Sequence, residues 1–383
     1  MRQSSGKNSA QIYDLVIIGA SFSGLTCARA AALRGLSVLV IEAKDDPGAR
    51  IHTTGILVKE AAEELDVPAT LTRTIHGVRL YSPNLKSVDL FSPGYYFLTT
   101  RTSDLMRWLA DEARRAGAQI RCGLKFTGAS HVADMLEIAG TNISCRYLVG
   151  ADGAKSTVAA SFGLGINTRF LVGIEAEYTR LAGFDDRFLH CFLDSKIAPG
   201  YIAWAAPSPD AIQIGLATKA SHKPDLNRFR AHTGKLFSYD DNNIVEKRSG
   251  VIPCGGIVRP YAARNVLLIG DAAGLVSPLS AGGIQLAFRF GKKAGQAVAD
   301  HLTRFGPPPE IILEKMLPRF AKKQMLRNLL DLAPPNPLYN SLLTNPLMRK
   351  FASHIYFHKR ITKDIELDEF TAKLPSNSKK RSY

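Results

Sequence analysis

The fold is decided by Tyr13-Asp14-Leu15-Val16-Ile17-Ile18-Gly19-Ala20-Ser21-Phe22-Ser23-Gly24 and the stretch Leu25 to Gly35 that follows it. The first six residues are short, nearly all apolar and rich in β-branching, the signature of a strand buried on both faces. Leu25-Thr26-Cys27-Ala28-Arg29-Ala30-Ala31-Ala32-Leu33-Arg34 reads as a helix, closed by Gly35 at a C′-like position. Ser37-Val38-Leu39-Val40-Ile41 is a second buried strand ending at Glu42, so the chain opens with a complete, right-handed βαβ unit. Gly19, Ser21 and Gly24 occupy the three positions of a G-x-G-x-x-G fingerprint, with serine in the middle. The first allows the tight turn, the second must be small enough for backbone to approach a pyrophosphate, and the third lets helix pack on strand. Glu42, 18 positions after Gly24, is placed to accept hydrogen bonds from an adenosine ribose.

Outward from this unit, Thr102-Ser103-Asp104 supplies N-cap residues. Leu105, Leu109 and Ala113 then predict an amphipathic helix over 104–116. Short strands follow through 119–149. Residues 170–250 hold several β-rich runs, which predicts a mostly antiparallel second domain inserted into the first. The expected organisation is a discontinuous nucleotide-binding domain (12–75, 100–165 and 252–304) with a β-rich substrate domain (76–99 and 166–251). A helical basic region (305–375) follows, with disordered tails at 1–11 and 376–383.

Composition sets outer bounds. With 383 residues, 45% apolar and 22% charged, the chain belongs with folded globular proteins and not with disordered or fibrous ones. Five cysteines without a CxxC pair argue against a disulfide framework or a zinc site. No apolar run approaches a spanning helix, and the polar N-terminus lacks a signal-like core, so a cytoplasmic protein is expected. The net charge of +15 favours anionic partners, and +7 of it falls in residues 307–383. There, Ile311, Ile312, Leu313, Met316, Leu317 and Phe320 lie beside Lys315, Arg319, Lys322 and Lys323. They form either a helical cover with a solvated basic face or a surface for anionic membrane lipid. No recognition motif accompanies the charge, so nucleic acid is not an expected partner.

Two further segments narrow the nucleotide. Tyr147-Leu148-Val149-Gly150-Ala151-Asp152-Gly153-Ala154-Lys155-Ser156 puts an acid and small residues at a strand end. Val266-Leu267-Leu268-Ile269-Gly270-Asp271-Ala272-Ala273-Gly274, followed by Pro278 and Gly282-Gly283-Ile284, runs a buried strand into an acid and a second glycine-rich helix start. In this order and spacing the three motifs resemble the FAD enzymes of the para-hydroxybenzoate hydroxylase and geranylgeranyl reductase superfamily, over about residues 13–300. The resemblance implies an α/β fold, a doubly wound Rossmann-like FAD domain with a β-rich substrate domain and a helical C-terminal extension. It implies FAD contacts at Gly19, Ala20, Ser21, Ser23, Gly24, Glu42, Ala43, Arg101, Asp152, Gly270, Asp271, Gly283 and Ile284. Asp271 would bind ribityl or ribose hydroxyls, the amides near Gly283 and Ile284 would face the flavin, and Arg101 would lie on the phosphate side. Asp271 is equally a helix N-cap, and Asp152 equally a turn-forming Asp-Gly.

Pro199-Gly200-Tyr201-Ile202-Ala203-Trp204-Ala205-Ala206-Pro207 resembles the YxWxFP stretch of geranylgeranyl reductases, with Ala206 in place of Phe. Tyr201 and Trp204 then become candidate walls for an unsaturated hydrocarbon, or else two aromatics of a sheet core. The segment Arg50-Ile51-His52-Thr53-Thr54-Gly55-Ile56 lacks the cysteine that archaeal members often carry there. His52, His190 and His222 are too scattered for a metal site and read as surface or satisfied core residues. The implied activity is FAD-dependent reduction of carbon–carbon double bonds in a prenyl or other lipid-like substrate, with NADPH or a ferredoxin-type protein as electron donor. Single-component oxygenation or halogenation, and non-catalytic flavin or lipid binding, are the alternatives. No catalytic side chain stands out, as expected where the cofactor carries the chemistry.

Overall fold

The computed structural model describes residues 10–342 and 345–357, so residues 1–9 of the expected 1–11 tail, 358–375 of the expected helical region and the expected tail 376–383 lie outside the described residues. Five parallel strands form the centre of the first sheet, in the spatial order Gln119–Arg121, Val38–Ile41, Gln11–Ile18, Ile143–Gly150, Val266–Leu268. Gln11, placed in the tail by sequence, opens the central strand and pairs with Ile143. Numbered along the chain, these strands run 3-2-1-4-5. The direction of winding therefore reverses between Gln11–Ile18 and Ile143–Gly150, and the carboxyl ends of those two strands splay open a crevice. Leu15, Val16, Ile17, Leu148 and Val149 are fully buried, which explains why both strands lack polar alternation.

Three helices pack on one another beside this sheet: Phe22–Ala32, Thr102–Arg115 and Ile284–Arg304. The first and third cross almost backbone to backbone. A Cβ on Gly291 would stand 2.5 Å from the Ser23 carbonyl oxygen, and one on Gly295 would stand 2.3 Å from that of Cys27. This contact delivers the N-termini of two helices to the same crevice. The helix expected over 104–116 begins at Thr102 with Arg101 at its N-cap and no side-chain cap. The Thr102 hydroxyl instead meets Thr100 at 3.0 Å and the Thr54 carbonyl at 3.3 Å, tying down the loop that borders the crevice.

The second sheet has seven strands: Ile244–Pro253, Phe170–Tyr178, Ile212–Lys219, Ala203–Pro207, Phe188–Phe192, Gly77–Tyr81 and Ser87–Phe91. All neighbours are antiparallel except Phe188–Phe192 with Gly77–Tyr81. A three-stranded sheet of Ile56–Val58, Phe97–Thr100 and Thr72–Ile75 draws strands from both sides of the expected domain borders at 75/76 and 99/100.

The C-terminal region forms four helices, Pro309–Glu314, Ala321–Asp331, Asn336–Leu342 and Pro346–Tyr356. Leu313 is buried in the first-domain core and Met316 and Leu317 pack against it, while Phe320 is also buried. Most of the apolar residues that sequence set beside the basic run therefore point inward. Ile311 is about half exposed.

Candidate active site

Between the two large sheets lies a cavity of about 1080 Å³, above the roughly 300–1,000 Å³ usual for a single ligand. Its floor is the crevice of the parallel sheet, lined by residues 18–23, 41–44, 151–153, 270–271 and 279–287. Its far wall is the antiparallel sheet, including Glu175, Cys191, Tyr201, Trp204 and residues 248–252. Leu326, Leu330, Ile355 and Tyr356 of the C-terminal helices also line it.

At the floor, Gly19 has φ +102°, and a Cβ at Gly24 would lie 2.1 Å from the Gly19 carbonyl oxygen. The turn closes on itself only without side chains there, which is why Gly24 packs behind the cavity lining. Ser21 caps the helix, accepting from the Gly24 amide at 3.2 Å. Glu42 is buried and accepts from the Ala20 amide at 2.8 Å and the Lys44 amide at 2.9 Å, joining the glycine loop to the end of the second strand. Its carboxylate has lone pairs left for a ligand hydroxyl.

The opposite end of the floor is built differently. Helix Ile284–Arg304 starts at Gly283 with no side-chain cap and no acid in its first turn, so its leading amides face the cavity unfilled. Asp271 stands beside them: a Cβ on Gly283 would meet its Oδ1 at 3.5 Å. Unlike Glu42, the Asp271 carboxylate has no hydrogen-bond partner among the described residues. Burial pushes its pKa up to about 6. Such a carboxylate is set to receive ligand hydroxyls. Asn167 steadies this end by donating to the carbonyls of Ala154 (3.1 Å) and Asp271 (2.9 Å), so it links the two acidic loops. Nothing local in the sequence marks it.

Asp152 lines the cavity, yet its carboxylate accepts from Ser156 Oγ (2.7 Å) and the amides of Thr157 (2.7 Å) and Val158 (3.1 Å). The last two bonds satisfy the first amides of the helix Thr157–Ser161, whose N-cap is Ser156. Arg101 is not among the residues lining the cavity. Its Nε sits 3.1 Å from Asp210 and its guanidinium donates to the Thr70 carbonyl. Ala20, Ser23, Ala43, Gly270, Gly283 and Ile284 line the cavity together with Gly19, Ser21, Glu42, Asp152 and Asp271.

This floor suits FAD. It offers two helix N-termini for the pyrophosphate and flavin, and an acid at each end, buried Glu42 and half-buried Asp271, for hydroxyls. Residues 13–307 match the FAD binding domain family. The chain belongs to that family. It is an FAD-dependent oxidoreductase. Digeranylgeranylglycerophospholipid reductase 2 of Methanosphaera stadtmanae is 30% identical to this flavoprotein over 313 residues, covering 75% of this chain and 79% of the relative. The fold superposes on a geranylgeranyl bacteriochlorophyll reductase-like protein from Thermoplasma acidophilum with a TM-score of 0.78. That match has 20% identity and covers 91% of this chain and 97% of that one. A flavin-dependent brominase shares the fold at TM-score 0.66 and 17% identity, covering 90% of this chain and 93% of the other.

The far wall of the flavoprotein holds a polar cluster that sequence reasoning missed. Glu175 and Arg248 face each other in register across adjacent strands and form a buried ion pair at 2.9 Å. Glu175 Oε2 also accepts from Thr54 Oγ1 (2.6 Å) and Trp204 Nε1 (2.7 Å). Burial pushes its pKa up, opposed by Arg248 and by these two donors. A carboxyl surrounded only by donors acts as an acceptor. Glu175 thus fixes the Trp204 indole against the cavity. Tyr201 is fixed as well, its hydroxyl donating to the Ser280 carbonyl at 2.6 Å and so joining the sheet to the glycine-rich loop. Both aromatics line the cavity, as does the whole segment 50–56. His190 is buried, with Nε2 at 2.8 Å from the Asp185 carbonyl and Nδ1 at 3.0 Å from the Tyr81 hydroxyl. Burial pushes its pKa down to about 4, so it is a neutral, satisfied imidazole.

Proposed function

We propose that this enzyme reduces carbon–carbon double bonds of a prenyl, geranylgeranyl-type or other lipid-like substrate. The observation that carries the proposal is the cavity wall above the flavin floor. Trp204 and Tyr201 have their polar atoms engaged elsewhere and present ring surface, and the wall continues through Ile202, Leu326, Leu330 and Ile355 to the C-terminal helices. Flat apolar walls suit an unsaturated chain. The reductase named in Methanosphaera stadtmanae supports the same substrate class.

When bound, reduced FAD would supply the hydride for one alkene carbon, and a proton from solvent or a nearby acid would complete the other. Glu42, Ser21, Asp271 and the amides at Gly283 and Ile284 hold the cofactor by its hydroxyls and phosphates. Tyr201 and Trp204 orient the hydrocarbon, and the C-terminal helices continue the apolar wall. Glu175 positions Trp204 through the indole N–H. NADPH or a ferredoxin-type protein provides the electrons.

The test is anaerobic. The yellow protein is bleached with NADPH, or with reduced ferredoxin, and then mixed with a geranylgeranyl lipid. Recovery of the oxidised spectrum only with the alkene, and a product heavier by two hydrogens, is the expected result. A product gaining one oxygen in air would establish a monooxygenase instead, and no substrate-dependent recovery under any donor would leave a binding protein without turnover.

A further inference from the structure

Helix Ala321–Asp331 turns apolar side chains out to water. Gln324, Arg327 and Asp331 turn inward, while Lys322, Lys323 and Asn328 are exposed. Arg327 is completely buried, bonds the Gly200 carbonyl and sits 2.7 Å from Asp331. Asp331 also pairs with Arg169, Asn328 accepts from Arg169 at 2.7 Å, and Gln324 donates to the Gly255 carbonyl at 2.7 Å. Met325, Leu329 and Leu332, spaced i, i+4, i+7 on the opposite stripe, are 61%, 52% and 78% exposed. Polar pins thus hold the helix in place while its apolar stripe faces out.

Two observations say what covers that stripe. From Lys315 to Leu330 the chain carries five cations and no carboxylate. Of these, Lys315, Arg319, Lys322 and Lys323 are exposed and make no ion pair among the described residues. The stripe is also continuous with the cavity, because Leu329 lies on the rim and Leu326 and Leu330, one face round, line the interior. We propose that this helix docks on an anionic phospholipid bilayer, with Met325, Leu329 and Leu332 at the headgroup–acyl boundary and the lysines on the lipid phosphates. The cavity mouth then opens onto hydrocarbon, and a lipid chain reaches the flavin floor without crossing water. The docking stands on the helix alone, and only the direction of lipid transit rests on the function proposed above.

The experiment uses the full FAD-loaded chain, sedimented with vesicles of phosphatidylcholine alone or mixed with phosphatidylglycerol. The expected result is pelleting with the anionic vesicles, release by salt, and at least about ten-fold weaker partition for Met325→Glu/Leu332→Glu. Met325→Ser/Leu332→Ser, a milder change at two exposed positions outside the cavity lining, is expected to weaken partition in the same direction. Both variants are expected to keep FAD and to reduce a detergent-dispersed substrate as the parent does. A parent that stays in the supernatant, or variants that pellet equally, would overturn the docking. So would a parent dimer that the variants split, with no vesicle binding, since the stripe would then be a self-interface. Alkene reduction in detergent reports on the proposed function separately, so the two ideas fail independently.

Discussion

The two ends of the cofactor floor solve the same problem in opposite ways. At the glycine loop, Glu42 already holds two backbone amides, at 2.8 and 2.9 Å, and Ser21 already caps its helix. At the second loop the helix is uncapped and Asp271 is half-buried, its carboxylate without a partner among the described residues. The first end is already satisfied within the fold. The second leaves helix amides and a carboxylate unpaired among the described residues. Preorganisation therefore takes two forms here, satisfied geometry on one side and unsatisfied charge on the other.

Substitutions separate the two. The largest effect is expected from Gly24→Val, which drives a side chain into the Gly19 carbonyl at a site with no room to relax. FAD content after purification is expected to fall to background. A folded mutant with full yellow colour would show that the glycine loop is not the phosphate cradle. Next, Glu42→Ala removes the acceptor for two amides. It is expected to lower the thermal midpoint of the FAD-free protein by an amount equivalent to about 2–4 kcal/mol, and to weaken FAD as well.

Asp271→Asn is expected to behave in the opposite way in the absence of cofactor. The folded-state pKa of about 6 exceeds the ordinary value of 3.8, so this carboxyl favours folding fully below the unfolded pKa and loses that contribution as pH rises through 6. Above pH 6 the ionised side chain opposes folding by at most about 3 kcal/mol, and the amide removes that opposition. The FAD-free Asp271→Asn protein should therefore melt at or above the parent, while its FAD dissociation constant rises roughly ten- to a hundred-fold. Equal losses of stability in both acid variants would erase the distinction between the two ends. The smallest effect is the pH dependence itself. FAD affinity of the parent is expected to weaken below about pH 6, by up to about ten-fold per unit, because protonated Asp271 accepts ligand hydroxyls poorly. Titration of FAD fluorescence quenching should show this in the parent and not in Asp271→Asn.

Much of the floor was legible in the sequence because its chemistry is local. The buried run 13–18, the small residues at 19, 21 and 24, and the acid ending the next strand each follow from neighbours within one βαβ unit, and Gly270-Asp271 repeats that logic at a second strand end. The ion pair of Arg101 was not legible, because its partner Asp210 lies 109 positions away in the chain. The Glu175–Arg248 pair went unseen because only the register of two antiparallel strands sets those residues opposite each other. Helix 321–331 carried a legible charge, but the sequence did not show that Arg327 would be buried and Met325 and Leu329 exposed.

By itself the sequence determined the order of strands and helices, the phosphate turn and the family. Backbone stereochemistry and hydrophobic periodicity act over a few residues, and they are written wherever the chain is read. The tertiary structure alone decided which acid is satisfied and which waits, where Trp204 is anchored, and which way the last helices face. Those outcomes depend on desolvation and on partners brought together across strand registers and domain contacts, and no short stretch of chain contains them.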